Sequence, residues 1–374
     1  MINACYDLCL RLRGPDYFDK VNFQKWAASY SMAIAFFQVG QHNRARMVEV
    51  ESMQLARLLN LHQISEYDGL NLIETQLRKK AFWLMWYGYV HSQLQNLRKE
   101  RLNYLDATIL STINLEDLMP FEVDDEMILE DAVIPQPTDA LSLTTGFIVH
   151  SRVFWAALTS PSPRDSSVPR RDPCMCVRSA EPKLQIEYLR DRLHDLKYII
   201  DGMPPQLRQW AAEDNWDTLN GSSLEHQRII KAQFESMRAN IHVTHLWLQS
   251  IILDQLDALM TSEPSISTLP SSLADPKAVW AEREDIARQL LHLLHSIPEI
   301  HLEPNGHHLT FKVRDVAVAL LNCPPELPVE ASRRASEYLR EFTNKLSRLD
   351  GSEIVNTLSL QSWVDTDRRG ITSG

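Results

Sequence analysis

Apolar side chains recur every three or four residues along most of this chain, which is the spacing of one face of an α-helix. In residues 24–39, one buried face is predicted from Trp26, Tyr30, Ala33, Ile34 and Phe37. We find no segment that alternates polar and apolar residues for long enough to build a sheet. The pattern therefore predicts an all-α fold: a large irregular domain of packed antiparallel helices without significant sheet.

The same periodicity predicts where most of the helices begin and end. Gly40 is expected to stop the helix over residues 24–39. Asn71 and Glu74 form a capping pair at the start of another predicted helix, which begins after Asn71. This helix is apolar nearly all round and should lie in the middle of a domain. The other predicted helices are Arg44–Leu59, Thr144–Leu158, Leu184–Ile200, Leu224–Met260, Ala278–Ser296, Leu309–Leu321 and Val329–Leu349.

Proline-rich stretches suggest how the chain is organised. Residues 112–137 contain three prolines and are expected to be a looser connection. Residues 159–182 are rich in proline and serine, which predicts a flexible linker or an insertion. We therefore expect an N-terminal helical part over 1–158, a C-terminal helical part over 183–350 packed on the same core, and a tail over 351–374.

Composition excludes several common classes of protein. The chain has only 11 glycines in 374 residues, less than half of the usual share of about 7%, and none are grouped as in phosphate-binding loops. Its net charge of −11 gives no overall attraction to nucleic acid or anionic lipid. The most apolar long stretch, Ile241–Leu259, contains too many polar residues to span a bilayer. Nucleotide-binding α/β enzymes and membrane-spanning proteins are therefore not expected.

The cysteines do not predict a disulfide framework or a zinc site. Their spacing fits neither pattern, and reduced thiols are the simpler interpretation; they are Cys5, Cys9, Cys174, Cys176 and Cys323. Cys174 and Cys176 form a lone C-x-C pair, which is weak evidence for a metal. We assign no metal-ligating, cofactor-binding or catalytic residue from the sequence.

Three further groups of residues have alternative interpretations. The acidic run Asp124, Asp125 and Glu126 has the carboxylates that Mg²⁺ prefers, but a second acidic element is missing and a solvated loop is favoured. The pairs His242/His245 and His292/His295 have metal-ligand spacing, yet ordinary core or surface histidines are favoured. The basic run 78–80 is expected to form ion pairs at a helix interface, with Glu74 bound to Arg78, rather than a nucleic-acid patch.

Three segments occur in an order typical of a known family. They are "ARLLNLHQ" (Ala56–Gln63), "ETQLRKKAFWLMWY" (Glu74–Tyr87) and "INLEDLMPFEVDDE" (Ile113–Glu126). Together they resemble the middle homology region of fungal zinc-binuclear-cluster transcription factors, the fungal-specific transcription factor domain; Leu189–Leu207 and Ala239–Leu253 resemble its later helices. The matching positions are Leu59, Leu61, His62, Arg78, Lys79, Lys80, Phe82, Trp83, Ile113, Glu116, Asp117, Pro120, Asp124 and Asp125.

The chain also departs from that family. Asn60 stands where a glycine is usual, Tyr89 and Val90 replace an Asp-Arg or Asp-Lys pair, and Arg98–Leu105 replaces a Gly-Arg-Pro element. The six-cysteine DNA-binding module is missing, and Cys5 and Cys9 cannot form it. The chain would then be a truncated gene model, a fragment, or a regulator without its own DNA-binding part.

The resemblance implies a nuclear regulatory domain that controls RNA polymerase II transcription and is not an enzyme. DNA binding would come from a zinc-cluster segment or a partner, so zinc is expected only there and no cofactor in this chain. The partners implied are the transcription machinery or a regulatory protein, with a small-molecule effector or a homodimer as open possibilities. Two alternatives remain: a helical protein-interaction scaffold, or an all-α metal-dependent enzyme using the acidic run.

Overall fold

A computed structural model describes the chain at residues 2–94, 105, 107–110, 113–136, 141–158, 182–210, 224–262 and 275–349. These residues form α-helices joined by short 3-10 turns. The only β-type backbone pairing among them is one isolated antiparallel bridge between Ile128 and Val133. The all-α prediction is confirmed. The chain divides into two compact units, residues 1–137 (unit 1) and 138–374 (unit 2).

Unit 1 contains a closely packed pair of helices, the second and third along the chain. Its described helices are α1 (Ile2–Arg11), α2 (Phe23–Gln38), α3 (His42–Leu58), α4 (Leu72–Leu94) and α5 (Ala107–Leu110). The small side chains of Ala33 and Ala45 let α2 and α3 approach closely, and Phe36 and Val48 fill the core between them. Gly40 has a φ of +73°, the left-handed conformation that ends a helix, which confirms its predicted role.

Helix α4 is the most enclosed part of unit 1. The Asn71 side chain accepts a hydrogen bond of 2.8 Å from the backbone N–H of Glu74, so the predicted cap is present. Along the helix, Phe82, Trp83 and Trp86 have no solvent exposure, as expected for a helix that is apolar on most sides.

Unit 2 is built around one long helix. Its described helices are α6 (Leu143–Leu158), α7 (Pro182–Tyr198), α8 (Leu224–Ser262), α9 (Pro276–Ser296), α10 (Glu299–Leu302), α11 (Gly306–Ala319) and α12 (Val329–Leu349). Helices α6, α7, α9 and α11 pack against α8, and α12 packs against α9 and α11. Every residue of α8 from 241 to 250 is buried, so the polar side chains among them must find partners inside the protein.

The boundary between the units differs from the expected one at residue 158. Helix α6 packs against α8 and α7 and therefore belongs to unit 2, with the division at Pro137. Periodicity shows that α6 is a helix but not which neighbour covers it. Residues 159–181 of the expected linker, with Cys174 and Cys176, and the tail 351–374 lie outside the described residues. A single core shared by both halves stays a prediction.

Candidate functional site

The basic run at residues 78–80 makes specific contacts along α4. Arg78 forms the predicted ion pair with Glu74, at 2.6 Å. The Lys79 ammonium donates a 3.2 Å hydrogen bond to the backbone oxygen of Met119, and Lys80 forms an ion pair with Asp125. The expected ion pairs are therefore present for Arg78 and Lys80, while Lys79 binds a backbone oxygen, and the partners of both lysines lie in residues 113–126 rather than on a facing helix.

The same side of α4 binds the backbone of that segment. The Trp83 indole N–H donates a 2.9 Å hydrogen bond to the Leu118 oxygen, and the Gln76 side-chain oxygen accepts one of 2.8 Å from the N–H of Phe121. Backbone groups outside helices need such partners when they are buried. We call the four side chains that make these contacts the α4 clamp: Gln76, Lys79, Lys80 and Trp83.

The turn after α3 has an unusual backbone. Asn60 adopts a φ of +48°, in the left-handed region that favours glycine and that asparagine tolerates better than most residues. Leu61, directly after it, is fully buried, and its oxygen accepts a 2.8 Å hydrogen bond from the Tyr67 hydroxyl. The turn therefore needs a residue that accepts positive φ at position 60.

The acidic run is braced by protein contacts. Asp125 pairs with Lys80, while Asp124 accepts a 2.8 Å hydrogen bond from the Gln136 amide and returns one of 3.0 Å from its own N–H. Glu126 is exposed. In the part of the chain that the structure describes, no three His, Cys, Asp or Glu side chains are placed to hold a metal ion.

The histidine pair of α8 connects helices. His242 donates through Nε2 to the Leu207 oxygen at 2.8 Å, and His245 donates to the Leu196 oxygen at 2.6 Å, because a carbonyl can only accept. Burial lowers the pKa of each ring to about 4, so both are neutral at pH 7. These are core histidines with structural partners, as favoured from the sequence.

The second predicted histidine pair has separate contacts. His292 lies against the Trp210 ring with 3.9 Å between centroids, and His295 approaches the Glu341 carboxylate at 3.5 Å.

No described helix is both long and apolar enough to cross a membrane.

A buried polar cluster in unit 2 was not anticipated. The Lys312 side chain is about 2% exposed, and its ammonium donates a 2.7 Å hydrogen bond to the Thr244 hydroxyl, which His150 Nε2 also approaches at 3.1 Å. The Phe154 and Trp247 ring centroids lie 5.3 and 5.7 Å from the Lys312 nitrogen. We call these five residues the Lys312 cluster.

Burial dominates the electrostatics of this cluster. Removal from water lowers the pKa of Lys312 to about 7. Burial and then the positive charge of Lys312 lower the pKa of His150 well below its usual value. The sequence did carry a signal, since Lys312 falls on the same stripe as Leu309, Val313 and Val316, the buried face of α11.

Comparison with known proteins adds no assignment. No protein-family model matches the chain, and no curated protein and no solved structure is detectably similar to it.

Proposed function

We propose that this chain is the regulatory domain of a fungal transcription factor, with DNA binding supplied by a zinc-cluster segment or a partner protein. The α4 clamp is the observation that most supports the proposal. Lys79, Lys80 and Trp83 all belong to one motif of the resemblance, and each contacts the motif that follows, with Lys79 and Met119 40 residues apart in the chain. Two motifs that follow one another in the sequence are thus in direct contact in the structure.

The turn at position 60 gives independent support. Asn60 is one of the departures from the family, and its backbone has the conformation for which glycine is the usual choice. The substitution therefore keeps the geometry that a glycine would provide. Asn60 is therefore compatible with the resemblance, although the family usually has a glycine at this position.

In the proposed mechanism, the helical domain holds an activation or repression surface in check inside the nucleus. A metabolite bound between helices, or a partner protein, shifts the balance between the restrained and released states by binding one of them more tightly. The net charge of −11 suits this role, because it leaves the DNA contact to a different segment or protein.

A reporter assay tests the proposal. The chain is fused to an unrelated sequence-specific DNA-binding domain, and transcription from its site is measured for the native fusion and for the variants Trp83→Ala and Trp210→Ala. Trp83 is buried in the clamp, whereas Trp210 is 65% exposed and serves as the matched control. We expect Trp83→Ala to change the output and Trp210→Ala to behave like the native fusion.

Protein levels in this assay are compared by immunoblot. If all three fusions give the output of the DNA-binding domain alone under every growth condition tried, the proposal is wrong.

A protein-interaction scaffold is the second candidate. Helix α3 packs tightly on α2, yet its outer side leaves Met47, Val50 and Leu58 exposed. Exposed apolar groups on one side of a helix are a feature of protein-binding surfaces. Failure of the reporter assay, together with loss of a purified partner's binding in Met47→Glu but not in Glu66→Ala, would favour this candidate.

A further inference from the structure

The buried charges of unit 2 are mostly positive, although the whole chain carries −11. Within the described residues of this unit, the buried cationic side chains are Arg192, Arg238, Arg283, Lys312 and Arg314. Glu235 is the one buried carboxylate among the same residues. A buried cation in this set that has no acidic partner favours an added negative charge.

Some of these cations have partners in the protein. Arg238 is paired with Glu235 at 2.5 Å, and Arg283 is paired with Asp254 and Asp257. Lys312 and Arg192 differ, because no acidic side chain in the described ranges forms an ion pair with either. A buried cation without a counterion is costly, so each of these positions favours an added anion.

Lys312 has the better-defined surroundings. Its ammonium has three N–H donors, and the Thr244 hydroxyl accepts only one of them. The carboxylate one turn further along α11, Asp315, accepts a 2.9 Å hydrogen bond from the Trp247 indole instead. His150 approaches the Thr244 oxygen from α6, so two nitrogen groups converge on one oxygen atom.

We propose that unit 2 binds a small organic monocarboxylate at the Lys312 cluster. The carboxylate takes the ammonium hydrogen bonds that Thr244 and the other described residues leave unused, and the apolar body of the acid lies against Phe154 and Trp247. A single negative charge is expected, because one ammonium balances one charge and a phosphate dianion would leave an excess in an apolar site. The proposal gives the chemical class of the effector. Only the biological role of the bound acid rests on the proposed function.

Binding should be coupled to uptake of a proton. With its pKa lowered to about 7, Lys312 is mostly neutral above that pH and must be protonated to pair with an anion. The titratable group facing it from α6 is His150, which burial keeps neutral, while Thr244 and Trp247 face it from α8. Of its neighbours on α11, Asp315 contacts Trp247 and Arg314 lies over Phe311. The affinity is therefore expected to fall about tenfold for each pH unit above 7.

The test measures binding to the purified full chain by calorimetry and thermal unfolding. The probes are acetate, butyrate and benzoate at millimolar concentration, with benzamide as a neutral counterpart of benzoate and inorganic phosphate as a dianion. Lys312→Met keeps the length of the side chain and removes the charge, and Trp210→Ala changes an exposed side chain outside the Lys312 cluster.

We expect at least one monocarboxylate to bind and to raise the melting temperature, with uptake of about one proton per ligand at pH 8, measured in buffers of different ionisation enthalpy. Lys312→Met should lose this response, and Trp210→Ala should keep it. The inference is overturned if Lys312→Met responds like the native chain, if benzamide binds as well as benzoate, or if none of the three acids binds.

The outcomes separate the two proposals. Absence of carboxylate binding alongside an active reporter fusion contradicts the ligand class alone. Carboxylate binding through Lys312 alongside an inert fusion contradicts the transcriptional role alone.

Discussion

At the scale of single residues, two positions in this protein depend on conditions that are unfavourable for an ordinary side chain. Asn60 adopts a left-handed backbone, and Lys312 is an amine enclosed by apolar groups. Each costs free energy that the surrounding packing must offset. Substitution at either position should therefore change the free energy of unfolding.

The first prediction concerns Asn60. Replacement by glycine should leave the free energy of unfolding unchanged or slightly higher, whereas replacement by alanine should lower it by about 1 kcal/mol, because alanine meets the full cost of positive φ. Urea unfolding of both variants measures the difference. Equal stability of Asn60→Gly and Asn60→Ala would show that the turn does not need a left-handed residue.

The second prediction concerns Lys312 in a buffer without carboxylates. The native state binds fewer protons than the unfolded state between a pKa of about 7 and the usual 10.5, so stability rises with pH in that window. From pH 7 to pH 9 the native chain should gain about 2 kcal/mol relative to Lys312→Met, which lacks the titrating group. A constant difference between the two proteins across this range would mean that Lys312 is solvated.

At the scale of elements, α4 and α8 each use buried polar side chains to bind the backbone of a neighbouring segment. Trp83 binds the Leu118 oxygen in the segment 113–126, His242 binds the oxygen of Leu207 at the end of a 3-10 turn, and His245 binds that of Leu196 in the last turn of α7. The donors lie on rigid helices, while the carbonyls they satisfy lie at turns or helix ends. Each helix thus fixes the path of a less regular segment.

The third prediction tests the clamp. Trp83→Phe leaves the Leu118 oxygen without its donor and should cost about 1–3 kcal/mol, while Trp83→Ala adds a cavity and should cost about 3–5 kcal/mol. The exposed Trp210→Ala is the control and should change stability little. Thermal unfolding measures all three. Unchanged melting of Trp83→Ala together with altered reporter output would instead place Trp83 in a ligand site.

The fourth prediction tests the histidines of α8. Their pKa values are lowered from 6.5 to about 4, so the stability they contribute is complete above pH 6.5 and is lost as the pH falls toward 4. Each should account for about 2 kcal/mol of the loss between pH 7 and pH 5. In His245→Gln this pH dependence should be reduced by about that amount. An unchanged slope would contradict the assignment.

At the scale of the whole molecule, the net charge of −11 gives no overall attraction to nucleic acid. The chain carries 38 basic and 49 acidic side chains, and the buried cations of unit 2 are not available to phosphates at the surface. Binding to duplex DNA depends mainly on exposed cations that neutralise phosphates. The charge distribution therefore suits a protein that regulates DNA binding by another part.

The fifth prediction follows from this distribution. The chain alone should show no sequence-specific binding to duplex DNA in an anisotropy titration at physiological salt. Mixed-sequence and GC-rich duplexes are compared, with a basic DNA-binding domain as the positive control. Nanomolar binding that depends on sequence would contradict the prediction.

Sequence alone predicted most of the local structure, although the helix α1 (Ile2–Arg11) was not expected. Helix α12 was expected at Val329–Leu349 and is found there, and the Glu74–Arg78 ion pair was expected from its spacing. Helical period, caps and pairs four residues apart are properties of a single helix, so they are encoded within a few turns of chain.

Tertiary structure decided everything that depends on which segments meet. The binding of the Leu118 oxygen by Trp83, the burial of Lys312 beside Thr244 and the place of α6 in unit 2 each join parts of the chain that are distant in sequence. Periodicity identifies the face of α11 that is buried, but not the rings and hydroxyl that surround its lysine. Their identity depends on helix packing, which brings α6, α8 and α11 together around one ammonium group.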